Sequence, residues 1–217
     1  MLKIGLNTFY PFHRKIYDSP NYYRHNDIDI EEWHGESVTS SEVVDALVVS
    51  NKLNNIQDKI HSIRDSQFYS YKLSNPVSRY IVYLFRKNGE PAGHFIIKRL
   101  YNNYRSVYSK IIDFQLKKYN ENAIIKSFKK AVCPKSKLLK NTLITVPLLT
   151  MGEATEHLFR RSGFVKEGKI TDMLFGRSAL PFLVRPTKLD EDRWYVENKN
   201  IQDYKHWHLT GIDADNA

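Results

Sequence analysis

Cysteine and long apolar runs are both scarce in this sequence. Cys133 is the only cysteine among the 217 residues, which excludes an internal disulfide and a cysteine-based zinc site. No apolar run approaches the ~18 residues that a membrane-spanning helix needs. Polar residues interrupt positions 1–7 too early for the apolar core of a secretory signal. These absences favour a cytoplasmic protein.

The composition is that of a globular protein, with 41% apolar and 26% charged residues. A length of 217 residues suits one domain of generous size, or one domain with an extra arm. The net charge of +9 favours a polyanionic partner, which could be nucleic acid, a phosphorylated cofactor or an acidic membrane face. Positions 117–140 hold eight lysines and one acid, as a solvated helix face would. No known nucleic-acid-binding motif accompanies them, so nucleic acid is disfavoured as a partner.

The first half of the chain is predicted to hold an arm and two helices. Residues 1–40 lack periodicity and contain Pro11 and Pro20, which predicts an irregular arm with at most one short strand. Ser40 or Ser41 can cap a helix over 41–50, and the apolar spacing that follows predicts a second helix over 52–65.

The sequence then changes to a strand-like period. Residues 79–86 and 91–98 are rich in β-branched and aromatic side chains, and Asn88-Gly89 between them predicts a two-residue hairpin turn. Residues 107–116 predict a third strand of this antiparallel meander. The further predicted elements are a helix over 121–132, a strand over 141–147 parallel to the third strand, a helix over 152–162 ending at Gly163, and short strands near 164–165, 173–175 and 182–185.

This order of elements, with the segment His157-Leu-Phe-Arg-Arg-Ser-Gly-Phe-Val165, resembles the acyl-CoA N-acyltransferase (GNAT) superfamily. There, a helix with the pattern Leu-Tyr-x-x-x-Gly-Phe leads into the penultimate strand. The resemblance implies an α/β fold with a central mixed sheet flanked by helices, and acetyl-CoA or another acyl-CoA as co-substrate. It divides the chain into an arm (1–40), a GNAT-like domain (41–186) and a C-terminal tail packing on that domain (187–217).

A narrower resemblance covers residues 50–217. Segments 68–76, 110–114, 158–164 and 207–215 resemble the C-terminal half of longer bacterial GNAT-like proteins linked to surface-polysaccharide biosynthesis. It implies transfer of the acyl group to an amine of a polysaccharide precursor or similar small molecule. The chain is then a shortened member of that family or a free-standing half, and a homodimer stays open.

Two positions depart from the GNAT pattern. The family binds the CoA pyrophosphate with a glycine-rich turn, whereas residues 117–123 here contain no glycine. The resemblance assigns cofactor binding to this region, namely to Leu116, Lys117, Lys118, Asn120 and Asn122. The tyrosine that commonly protonates the departing thiolate corresponds to Phe159, which has no proton to donate.

The remaining site candidates lie on strands and on the last helix. By strand alternation, Asp113 is expected to share a face with Ile111 and Gln115 and to act as general base, or else to bond a loop backbone or a nearby arginine. His94 and Gln115 are candidates for substrate binding, and His157 is a candidate to replace Phe159 as the acid. The histidines and aspartates of 206–215 lack a metal-ligand spacing, so no metal is predicted.

Three functions follow from these observations. The leading hypothesis is an acyltransferase. The alternatives are a non-catalytic GNAT-fold module that binds a ligand or partner, which the two departures favour, and a basic nucleic-acid-binding domain.

Overall fold

The computed structural model describes residues 2–4, 20–53, 59–76, 78–101, 107–132, 142–146, 153–166, 195–196, 198–210 and 212–213. The predicted strands near 173–175 and 182–185 lie outside these residues.

An eight-stranded mixed sheet forms the centre of the fold. Its spatial order is β2-β3-β4-β5-β6-β7-β1-β8, and β6 and β7 are its one parallel pair among the described strands. The strands are β1 (Leu2–Ile4), β2 (Asn21–His25), β3 (Ile28–His34), β4 (Arg79–Lys87), β5 (Glu90–Tyr101), β6 (Val107–Leu116), β7 (Thr142–Val146) and β8 (Val165–Lys166). A separate two-stranded sheet pairs β9 (Tyr195–Val196) with β10 (Lys199–Asn200).

The residues that the structure describes form four α-helices, which flank the sheet. They are α1 (Ser41–Asn51), α2 (Ser66–Leu73), α3 (Glu121–Val132) and α4 (Glu153–Arg161). A 3-10 helix, Gly35–Thr39, links β3 to α1. Ser40 caps α1 and Asp65 caps α2 through side-chain oxygens that accept backbone N–H groups. The mixed α/β sheet flanked by helices that the sequence predicts is therefore confirmed.

The central meander is as expected. β4 pairs with β5 and β5 with β6, both antiparallel. Asn88 and Gly89 have φ values of 53° and 81°, and positive φ at both central residues is the geometry that suits a two-residue hairpin. β6 leads through α3 into β7, which pairs parallel to β6 from Val107 opposite Thr142 to Lys110 opposite Thr145.

The sheet has a different core on each face. One face packs against α3 and α4 through aromatic and aliphatic side chains, including Phe95, Phe114, Phe128 and Phe159. The other face packs against α1 and α2 around Leu47, Tyr69 and Ile96. We call these the α3/α4 face and the α1/α2 face.

Two expectations about the first half were wrong. Residues 21–34 are not irregular, because β2 and β3 form a hairpin that extends the sheet beyond β4. β3 alternates buried Ile28 and Ile30 with less buried neighbours, which is a strand period that lies within an acidic segment. The second helix is also misplaced: 61–65 is not helical, and α2 begins at Ser66, after its Asp65 cap. The division into domains stays a prediction.

Within the described part of the chain, none of the helices combines the length and the apolar character that crossing a membrane requires.

Candidate functional site

A β-bulge in β6 decides where the candidate residues point. Ile96 of β5 lies opposite Asp113, but the next residue, Ile97, lies opposite Ile111, so Ile112 has no partner on β5. An extra residue of this kind disturbs the alternation of side chains along a strand. Ile112 and Asp113 consequently both belong to the α1/α2 face, while Ile111 and Phe114 belong to the α3/α4 face. The expected shared face of Asp113 and Ile111 was therefore wrong.

Asp113 is fully buried and bonded on both carboxylate oxygens. Its Oδ1 accepts from Arg64 Nη1 at 2.6 Å and from Thr210 Oγ1 at 3.0 Å. Its Oδ2 accepts from Tyr69 OH at 3.2 Å and lies 3.3 Å from His94 Nε2. Asp113 therefore bonds a nearby arginine, which was the alternative to a role as general base.

Arg64 links this carboxylate to the C-terminal segment. It is 7% exposed, and its Nη2 donates to Asp213 Oδ2 at 2.7 Å and to Thr210 Oγ1 at 3.0 Å. Asp213 also accepts from the backbone N–H of Thr210 at 2.8 Å and from the hydroxyl of Ser62. One guanidinium therefore bridges two carboxylates, as its fork of donors allows.

The protonation states follow from burial and from these charges. Burial alone would raise the pKa of Asp113, but the positive charge of Arg64 and the hydrogen bonds from His94 and Thr210 hold it below its usual range. Burial would lower the pKa of Arg64, whereas Asp113 and Asp213 raise it above its ordinary value. Burial and the charge of Asp113 raise the pKa of Tyr69. The cluster therefore contains an ionised Asp113 and Arg64 beside a neutral Tyr69.

His94 connects Asp113 to Ser50 of α1. Its Nδ1 lies 2.9 Å from Ser50 Oγ, and its Nε2 faces Asp113. An ionised carboxylate only accepts, so the hydrogen bond to Asp113 requires a proton on Nε2 of His94. This order of groups resembles a nucleophilic relay, but the three residues are only 2%, 0% and 0% exposed. In this structure the relay is closed to solutes.

The C-terminal segment is fastened along the α1/α2 face. Ile212 N donates to Ile112 O at 2.6 Å, so the C-terminal segment satisfies the backbone carbonyl of the bulge residue. Ile60 N donates to His206 O at 2.7 Å, and His208 N donates to Ile60 O at 2.8 Å. Burial and the charge of Arg64 lower the pKa of His208. Residues 206–210 and 212–213 thereby cover the network around Asp113.

The turn after β6 contains one residue in the left-handed backbone conformation. Tyr119 has a φ of 70°, a left-handed conformation that bulky residues rarely adopt. Lys117 N donates to Ala92 O at 2.8 Å, and Asn120 N donates to Lys117 O at 3.0 Å, so both N–H groups are used inside the protein. The side chains of Lys117 and Lys118 are exposed beside the N-terminus of α3. The residues present fit an anion held by side-chain charge and helix end better than one wrapped by backbone donors.

The other predicted cofactor and substrate residues are placed around this turn. Leu116 is buried on the α3/α4 face. Asn120 accepts the first backbone bond of α3 from Ile124, and its side chain lies 3.3 Å from Lys87 Nζ. Asn122 is exposed in the first turn of α3. Gln115 is 6% exposed and donates to Asn51 O at 3.3 Å.

His157 and Phe159 lie on the opposite side of the sheet from Asp113. Phe159 is fully buried, with ring centroids 5.1 Å from Phe114 and 5.0 Å from Phe164. His157 is exposed on α4, two residues earlier. The structure therefore brings Asp113, His94 and Gln115 to one face and leaves His157 apart from them. Their catalytic and binding roles stay predictions.

Sequence reasoning missed five members of the network, which are Ser50, Arg64, Tyr69, Thr210 and Asp213. Arg64 falls in the segment predicted to be helical. It lies 49 positions from Asp113, and no sequence motif connects the two residues. The tail residues carried a signal, because Thr210 and Asp213 belong to a segment of the narrower resemblance. Among the described residues, no group of three or more His, Cys, Asp or Glu side chains could hold a metal ion.

Comparison with known proteins gives structural neighbours only. No family model matches the chain, and no curated protein matches it. An aminoglycoside acetyltransferase, meta-AAC0020, from an uncultured soil metagenomic sample is similar with a TM-score of 0.48 and 12% identity, over 74% of this chain and 98% of that one. It was solved with sisomicin and with trehalose. A structure described as a possible acetyltransferase from Clostridium difficile 630 has a TM-score of 0.38 and 10% identity, over 75% and 99% of the two chains. At these values neither similarity carries an activity over to this chain.

Proposed function

We propose that the chain binds an acyl-CoA thioester at the end of β6 and transfers the acyl group to a small-molecule amine. The observation that carries this proposal is the course of β6. Its described pairing with β7 ends at Lys110, yet the strand continues for six residues to Leu116 and enters the basic turn before α3. Ligands of open α/β sheets bind beyond the carboxyl ends of parallel strands.

Each part of such a thioester has a place in this arrangement. The phosphates lie against Lys117, Lys118 and the N-terminus of α3, where the helix dipole favours negative charge. The acyl end lies along β6, where a backbone N–H near Leu116 stabilises the negative charge that develops on the carbonyl oxygen. The amine attacks the carbonyl carbon directly, the C–S bond breaks, and the departing CoA thiolate takes up the proton that the nitrogen loses.

Asp113 has a positioning role in this proposal. Its carboxylate has four partners and no exposed surface, so it holds the bulge, Arg64 and the tail in place. His94 and Gln115 likewise fix β5 and β6 against α1. The amine of a surface-polysaccharide precursor, as the narrower resemblance implies, remains our choice of acceptor class.

Calorimetry with acetyl-CoA, free CoA and longer acyl-CoA thioesters tests the proposal. We expect weak binding that falls as salt increases, because exposed charges are screened over a Debye length of about 8 Å at physiological ionic strength. The Lys117→Ala/Lys118→Ala variant should lose it, while Lys52→Ala, at an exposed position after α1, should retain it. Removal of Glu121, whose charge opposes the phosphates, should improve it. Absence of binding to every thioester would refute the proposal.

A non-catalytic binding module is the second candidate, and a specific observation favours it. The residue in place of the tyrosine acid, Phe159, is enclosed by aromatic rings, and the candidate base is sealed by Arg64. A thiol-release assay with acetyl-CoA and a panel of amino sugars separates the two candidates. Binding without any release of free CoA would favour the module.

A further inference from the structure

A cleft of about 450 Å³ opens between β3, α2 and the start of β4. It is well separated from the turn at 117–120. Arg79 begins β4 in the cleft, whereas Phe85, six residues later, pairs with Gly93, which in turn pairs with Leu116. Six residues of strand span about 20 Å. The cleft is therefore a separate feature from the proposed acyl-CoA site.

The cleft has an apolar floor and a polar rim. The floor consists of buried Val38, Leu73 and Tyr80, which all belong to the core of the α1/α2 face. The rim is more exposed and consists of Glu36, Thr39, Ser74, Asn75, Ser78 and Arg79. Small-molecule sites typically combine an apolar lining with a few polar groups, in volumes of roughly 300–1,000 Å³.

Two hydroxyl groups of the rim donate their protons to backbone carbonyls, which leaves their oxygens as acceptors. The hydroxyl of Thr39 donates to Glu36 O at 2.8 Å, and that of Ser74 donates to Tyr71 O at 3.0 Å. A hydroxyl whose proton is used in this way still offers its oxygen lone pairs. The exposed carboxylate of Glu36 also accepts, whereas Arg79 donates.

From this lining we infer that the cleft binds a small neutral polyol of monosaccharide size. Its hydroxyl groups donate to the acceptors of the rim, and the same hydroxyls accept from Arg79. The C–H face of a ring-shaped polyol packs on the apolar floor. This binding activity goes beyond the proposed acyl transfer and does not depend on it.

An NMR titration of the full chain with D-glucose and with myo-inositol tests the inference. We expect saturable shifts of the backbone amides of Gly35, Ser78 and Arg79. Ser74→Trp fills the rim and should weaken binding by about tenfold or more, a loss of about 1.4 kcal/mol. Ser70→Trp, one turn earlier on α2 and exposed outside the cleft, is the matched control and should leave the titration unchanged.

Three results would overturn the inference: no saturable shift with either polyol, equal shifts in the Ser74→Trp variant, or saturable shifts with inorganic phosphate alone.

Discussion

The two faces of the sheet are built from opposite chemistry. On the α3/α4 face, Phe95, Phe114, Phe159 and Phe164 pack ring against ring, and stabilisation comes from apolar burial and edge contacts. On the α1/α2 face, β6 presents Asp113, which bonds both Arg64 and His94 of β5. The extra residue Ile112 shifts the alternation of β6, so that Asp113 lies on the α1/α2 face while Phe114 lies on the α3/α4 face.

The two faces are therefore expected to differ in how much stability they lose when a side chain is replaced. An aromatic core loses stability in proportion to the volume removed. A buried ion pair instead leaves an uncompensated charge when one partner is lost. The α1/α2 face should therefore be the more sensitive to single polar substitutions.

Arg64→Ala should have the largest effect. It leaves Asp113 and Asp213 buried near each other without their shared cation, and the loss of one partner of a buried pair costs about 3–5 kcal/mol of unfolding free energy. Urea unfolding measures it. Arg24→Ala, which removes an exposed pair with Asp29, is the control and should cost less than about 1 kcal/mol. Equal effects of the two substitutions would contradict the comparison.

Phe159→Tyr should have an intermediate effect on the aromatic face. A hydroxyl placed among apolar rings lacks a partner and costs about 1–3 kcal/mol. Phe68→Tyr is the matched control, because Phe68 is only partly buried and its new hydroxyl can reach water. If Phe159→Tyr instead gains acyl-transfer rate at unchanged stability, the ring borders the reaction site and the aromatic face is not purely structural.

Tyr119→Gly should have the smallest effect, outside both faces. A left-handed conformation costs a residue with Cβ about 1–2 kcal/mol, which glycine avoids, although glycine also gains freedom in the unfolded chain. We expect the glycine variant to be about 1 kcal/mol more stable than Tyr119→Ala, which keeps the strain and loses the same ring. Thermal unfolding of the two variants gives the answer, and an alanine variant of equal stability would show that the turn is unstrained.

Much of the fold could be predicted from local patterns. The Asn88-Gly89 turn, the β-branched strands and the apolar face of α3 are short-range signals, and these elements formed where expected. The β2–β3 hairpin was missed because its acidic residues masked the alternation that buries Ile28 and Ile30.

The candidate site could be predicted only in part. Asp113 and His94 were selected from their positions on strands, but their partners come from α1, α2, a loop and the tail. Arg64 and Asp213 are separated by 149 positions, and only tertiary packing brings them together. No glycine marks the bulge at Ile112 in the sequence. The face of the sheet on which Asp113 lies could therefore not be derived from strand alternation.

The pH dependence of unfolding tests most directly whether Asp113 is a buried, ionised anchor. The native pKa of Asp113 lies below the unfolded value of about 3.9, so its contribution to stability is present above that value and is lost as pH falls through the native pKa. The unfolding free energy of the wild type should thus fall more steeply below about pH 4 than that of Asp113→Asn, and the difference should level off above about pH 5. Parallel profiles for the two proteins across the acid range would contradict the account.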